Sequence, residues 1–180
     1  MTKMYWRAEQ DSRNYSILVD DGNDYGSQDF LEMEGARKID QRKLSFRFDD
    51  ERALPVGDFV PTSQLGVLFA KREIFDLFGH VISRGKHTSY TARTDKYDLE
   101  IYVPMEEIGG FDFARSSYET FDDGDIYRIH DLKVINGFKT SFDVFRLNDN
   151  FGTRFHIIVS DNFKNIYDSE RLTGLRFTRV

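Results

Sequence analysis

The chain has 180 residues, with 31 acidic against 25 basic side chains, a net charge of −6 at pH 7 and no cysteine. This length suits one domain, large enough to bury a core without covalent staples. The missing cysteines exclude a disulfide framework, a thiolate zinc site, an iron–sulfur cluster and a cysteine nucleophile, and the acidic balance argues against a general nucleic-acid binder.

The most apolar stretches, residues 65–70 and 155–159, fall far short of the ~20 residues that a membrane-spanning helix needs. The opening residues lack the apolar core of a secretory signal. The expectation is a cytoplasmic protein with no membrane partner.

Residues 5–8 and 15–19 are rich in aromatic and β-branched side chains and end near polar turn residues, which predicts two strands. Asp20-Asp21-Gly22-Asn23-Asp24-Tyr25-Gly26 has the chemistry of a loop. Residues 44–48 alternate apolar and polar and read as a short strand. Pro55 and Pro61 bracket residues 56–60, where Val56, Phe59 and Val60 call for burial. That segment reads as a seam inside one domain of residues 1–180, setting off an irregular N-terminal sub-domain, 1–60. A helix is predicted over 63–78: Thr62 or Ser63 can cap it, Gly79 follows it, and Leu65, Leu68, Phe69, Phe75 and Phe78 recur near helical spacing.

Residues 98–103 alternate and stop at Pro104, a strand; residues 125–135 read as a strand with a bend. Residues 141–147 and 154–159 are expected to pair across a hairpin loop at 148–152. Ser160 offers an N-cap to a short helix over 161–170 with Phe163, Ile166 and Tyr167 on one face. Thr173-Gly174 breaks the chain before a last strand at 175–178. The sum is an α+β fold, a largely antiparallel sheet with one longer and one short helix packed on it. Its core should contain Leu68, Phe69, Phe75, Phe78, Phe145, Ile157 and Val159.

The residues offer little for catalysis. His80, His87, His130 and His156 show no metal-ligand spacing, and His156 reads as a sheet histidine with a hydrogen-bonded ring. Acidic runs occur at 20–21, 49–51, 106–107 and 122–125; residues 122–126 and 20–24 are too short for a calcium loop and lack its closing glutamate, so they read as solvated turns. There is no nucleophile elbow, P-loop or dinucleotide fingerprint. Phe46-Arg47-Phe48 and Phe145-Arg146-Leu147 could stack bases, but their alternation assigns the aromatics to a core. Trp6 reads as a core or interface anchor. No cofactor, metal or nucleic acid is expected.

The strings Phe142-Asp143-Val144-Phe145-Arg146-Leu147, Phe155-His156-Ile157-Ile158-Val159-Ser160, Phe163-Lys164 and Leu172-Thr173-Gly174-Leu175-Arg176-Phe177 carry a family likeness. Together they resemble the closing segment of the eleventh immunity-protein family of bacterial polymorphic toxin systems. There an F-R-L-type strand precedes an apolar strand ending in serine, a short helix and a T-G-hydrophobic-x-F terminus. Residues 97–104, with Ile108, Phe111-Asp112 and Ser116, resemble its middle region, a strand before a D-x-x-x-S turn. The similarity spans residues 97–180; upstream little matches beyond Tyr5-Trp6. A related immunity family ends in a similar T-G-x-x-F string. The resemblance implies an antitoxin that binds a cognate toxin protein and inhibits it stoichiometrically; it implies no catalytic residue.

Two acidic loops are the candidate toxin contacts: Asp20, Asp21 and Asp24 with Tyr25 as apolar anchor, and Asp122, Asp123 and Asp125 with Phe121. Two other readings compete. One is a small enzyme that reverses a toxin's modification, using Asp123 or Asp125 with His130. The other is an interaction module for a different protein partner.

Overall fold

Two five-stranded sheets and a separate hairpin carry the chain in a computed structural model that describes residues 3–49, 51 and 53–180. Asp50, part of the acidic run at 49–51, lies outside them. In chain order the strands are β1 (Tyr5–Gln10), β2 (Leu18–Asp20), β3 (Ser45–Phe48), β4 (Leu68–Ala70), β5 (His87–Thr94), β6 (Leu99–Pro104), β7 (Glu107–Ile108), β8 (Ser117–Thr120), β9 (Ile126–Asp131), β10 (Val144–Leu147), β11 (Ile157–Ser160) and β12 (Leu175–Arg179). The α-helices are α1 (Ser27–Phe30), α2 (Arg72–Leu77), α3 (Gly79–Ile82) and α4 (Asp161–Ser169). One sheet runs β12-β1-β11-β10-β7, the other β2-β3-β5-β6-β4, and β8 pairs only with β9. Of the strand pairs among the described residues, β10–β7 and β3–β5 are parallel and the other seven antiparallel, so the α+β class with a largely antiparallel sheet holds. β1 lies between β11 and β12 while β2 and β3 join the other sheet, so residues 1–60 contribute to both.

The hairpin at the C-terminal end forms as its alternation dictates, with Phe145 opposite Ile158 and Val144 opposite Val159. Arg154 and Phe155 do not extend β11; they belong to a 3-10 turn, Phe151–Phe155, capped by the Asn150 side chain. Ser160 caps α4 by accepting from Asn162 N. Its hydroxyl donates to Asp143 Oδ1 at 2.5 Å, and Lys3 Nζ lies 2.9 Å from the same oxygen. Burial would raise the Asp143 carboxyl, but Ser160, Lys3 and Asn162 outweigh it and hold it below the usual range.

The predicted helix over 63–78 does not exist as one element. Gly66 turns the backbone left-handed at φ +75°, and Leu68–Ala70 is strand β4, hydrogen-bonded to β6 with Leu68 opposite Tyr102. A helix begins only at Arg72. An apolar run buried on both faces satisfies a strand as well as a helix, and neighbours in space decided it. Leu65, assigned to that helix's apolar face, is instead 54% exposed. The strand expected over 15–19 shrinks to Leu18–Asp20, and Asp20 joins it from the predicted loop. Strands β5 and β8 and helix α1 are further elements that sequence alternation did not single out.

All seven expected core residues are buried. Leu68, Phe75, Phe78, Ile157 and Val159 share a cluster with Phe59, Phe163 and Tyr167 that packs one sheet against the other. Phe78 stacks on Phe163 with centroids 4.3 Å apart. The seam between the two prolines is clasped from the far end of the chain. Thr173 N and Oγ1 donate to Asp58 Oδ2 at 2.8 and 2.7 Å, and Asp58 N donates back to Thr173 Oγ1. Phe59 N donates to Thr173 O. Thr173-Gly174 therefore does more than interrupt the chain: it fastens residues 58–59 against β12. Among the described residues, no helix is long and apolar enough to cross a membrane.

Candidate functional site

The two acidic loops fare differently. In the first, Asp24 is tied to Arg37 at 2.8 Å, and the same guanidinium reaches Asp29 at 2.7 Å. Burial pushes Asp29 up, but hydrogen bonds from Arg37 and Gly26 outweigh it and lower it overall. Asp20 moves up, because burial dominates over the side chains of Asn23 and Gln64. Tyr25 is 9% exposed, with its hydroxyl accepting from Asp40 N at 3.0 Å and the Arg37 guanidinium over its ring. The expected anchor of this loop is thus a core side chain with no apolar face to offer, while Asp20, Asp21 and Asp24 are all exposed, Asp24 with Arg37 as its partner.

The second loop is built to present its charges. It closes the β8–β9 hairpin, with Phe121 N donating to Asp125 O at 2.8 Å and Gly124 in the left-handed region at φ +92°. Asp122 and Asp123 are exposed and Asp125 is half-buried. Among the described residues none of the three meets a cation. The hairpin is held to the body by Asn150, whose side-chain oxygen accepts from Ile126 N at 2.7 Å. Gly152 lies so near β9 that an added Cβ would sit 2.1 Å from Ile126 O.

Beside this loop the hairpin leaves an open groove of about 400 Å³. Leu65, Phe121, Tyr127 and Phe151 line it and remain 54, 55, 50 and 45% exposed. Phe121 and Tyr127 touch at 4.8 Å between ring centroids, and Phe151 meets Phe155 edge-on at 5.2 Å. Gathered exposed apolar side chains, unlike scattered ones, mark a contact surface. A smaller hollow of about 240 Å³ adjoins it, sharing Leu65, Phe155 and His156. Gln64, next to Leu65, donates to Tyr25 O at 3.0 Å, so the turn carrying Leu65 touches the first acidic loop as well.

On the hairpin's outer face Glu119 accepts from the Tyr127 hydroxyl, His130 Nε2 lies 2.6 Å from Glu119 Oε1, and Arg128 approaches at 3.8 Å. Bonds from Tyr127 and then His130 lower the Glu119 carboxyl, and Glu119 raises the Tyr127 phenol. The pairing of Asp123 or Asp125 with His130 is not assembled, because His130 faces Glu119 instead. His156 precedes β11 rather than lying in it, and its ring makes no hydrogen bond among the described residues. Burial, with Arg7 nearby, pushes its imidazole down to about 3, so the ring is neutral at pH 7. Among the described residues, no group of three or more His, Asp or Glu is placed to hold a metal ion.

Sequence reading placed Phe121 and its three aspartates together but missed Leu65, Tyr127 and Phe151. Alternation gave no signal for Tyr127: Ile126 and Ile129 are both buried although three residues apart, because the β8–β9 register shifts at Tyr127 and the irregularity turns its ring outward. No protein-family model matches the chain, and no curated protein matches it.

Proposed function

We propose that this chain is an immunity-type binding protein that neutralises a cognate toxin domain by stoichiometric contact, acting in the cytoplasm without cofactor or catalysis. One observation carries the reading: a groove of half-exposed aromatic and aliphatic side chains stands beside three carboxylates that no cation among the described residues answers. Apolar anchors supply binding energy and unneutralised charge speeds encounter with a partner of opposite sign. The resemblance of residues 97–180 to the eleventh immunity-protein family points to a toxin as that partner.

The test is co-expression with the C-terminal domain of the protein encoded next to this gene. Rescue of growth, co-purification and a titration with a sharp end point at one chain per toxin are expected. Protection at a small fraction of the toxin's amount would instead favour an enzyme, and absence of both rescue and co-purification would remove the toxin reading.

A further inference from the structure

We infer that the groove between the β8–β9 hairpin and the 3-10 turn at Phe151–Phe155 receives a basic-apolar segment of the partner protein, one or two large apolar side chains flanked by lysine or arginine. The inference rests on the binding-protein reading above and commits it to one surface and one partner chemistry.

Charge selects among the occupants. The turn at 122–125 contributes three carboxylates, and Glu119 on the hairpin adds a fourth, already shared by Arg128 and His130. Among the described residues the groove's own lining carries one arginine, Arg128, and no carboxylate, so the negative charge lies along the side formed by the turn next to Phe121. A second copy of this chain is disfavoured, because a two-fold interface on this face would bring the acidic turn against its own image. The same charges repel a phosphate backbone or an anionic lipid surface. A peptide whose apolar side chain enters between Phe121, Tyr127 and Phe151, with an ammonium or guanidinium on each flank, satisfies both halves of the site.

The floor is prepared for such an occupant. Asn150 and the close approach of Gly152 to Ile126 O fix the hairpin relative to the 3-10 turn, so the walls are set before binding. A preformed groove spends little of the binding energy on ordering itself.

The experiment is a backbone-amide NMR titration of the full chain with three capped synthetic peptides: a Phe-Leu pair flanked by lysines, the same pair flanked by glutamates, and a Ser-Ser pair flanked by lysines. Saturable shifts confined to residues 119–128 and 150–156 are expected with the first alone. Asp122→Lys/Asp123→Lys should weaken that peptide about tenfold or more, and Phe121→Ala should do the same with the remaining spectrum unchanged. No shift in these segments at millimolar peptide, equal binding of the Ser-Ser or the glutamate peptide, or self-association in sedimentation that Phe121→Ala abolishes, would each overturn the inference. Competition separates it from the functional reading. A toxin domain that binds tightly but is not displaced by the lysine-flanked peptide leaves the antitoxin reading standing and removes this site. Peptide binding without any toxin partner does the reverse.

Discussion

Gly174→Ala should be among the most damaging single-carbon changes in this protein. Gly174 has φ +97°, and a Cβ built there would sit 1.8 Å from Phe59 O and 2.7 Å from Phe59 C. Both obstacles are main chain, so no rotamer relieves them. An ordinary C···O contact is about 3.3 Å, so the seam must withdraw by about 1.5 Å. That movement strains Phe59 N to Thr173 O at 3.0 Å, Asp11 N to Gly174 O at 2.9 Å and the Thr173–Asp58 pair at 2.7–3.1 Å. Losing two or three such bonds at about 1 kcal/mol each, plus about 1–2 kcal/mol for a left-handed alanine, gives a loss of ~3–5 kcal/mol. Gly35→Ala is the control: φ is +77° with nothing within 4 Å of the added carbon, so only the conformational cost of about 1–2 kcal/mol applies. Urea unfolding followed by circular dichroism, with the slope checked for constancy, measures both. Equal losses in the two variants would refute the clasp between residues 58–59 and 173–174.

Three further outcomes are expected. Phe78→Ala removes a fully buried ring stacked on Phe163 and should cost ~3–5 kcal/mol, whereas Leu65→Ala, on a half-exposed side chain, should leave the unfolding midpoint nearly unchanged. His156 has its folded pKa depressed to about 3, below the ~6.5 of an unfolded histidine, so the unfolded chain binds the proton first. Its share of stability is therefore intact above pH 6.5 and falls between pH 6.5 and about 3, by about 2.7 kcal/mol at pH 4.5. In a pH series of denaturation curves His156→Gln should flatten that decline, and parallel curves for the two proteins would show the ring is not responsible. Arg146 is buried, with Nε donating to Pro104 O at 2.8 Å and its guanidinium 3.0 Å from Glu107. Arg146→Ala should cost ~3–5 kcal/mol through the cavity it opens, more than Arg146→Met, which fills the space; Glu107 keeps Arg154 at 2.7 Å in both variants, and urea unfolding of the two reads the difference.

What the sequence determined by itself was local. Strands β6, β10, β11 and β12 and the capped helix α4 follow from alternation, a proline stop and a serine cap, rules that act over a few residues. The α+β class and the buried set around Phe78 and Phe145 follow too, because large apolar side chains are buried whichever element carries them. Tertiary structure decided the rest. Residues 63–78 became a turn, a strand and one short helix because β6 offered hydrogen bonds to Leu68–Ala70 and Gly66 could turn left-handed. Tyr25 was drawn inside by Arg37 and Asp40, twelve and fifteen residues on, while Asp122 and Asp123 met no cation among the described residues and stayed outward. The groove joins Leu65, Phe121, Tyr127 and Phe151, three separate stretches of chain with no shared periodicity. Periodicity reports which way a side chain leaves its own backbone; which surfaces then face one another depends on the pairing of strands distant in sequence, and that is settled only when the whole core closes.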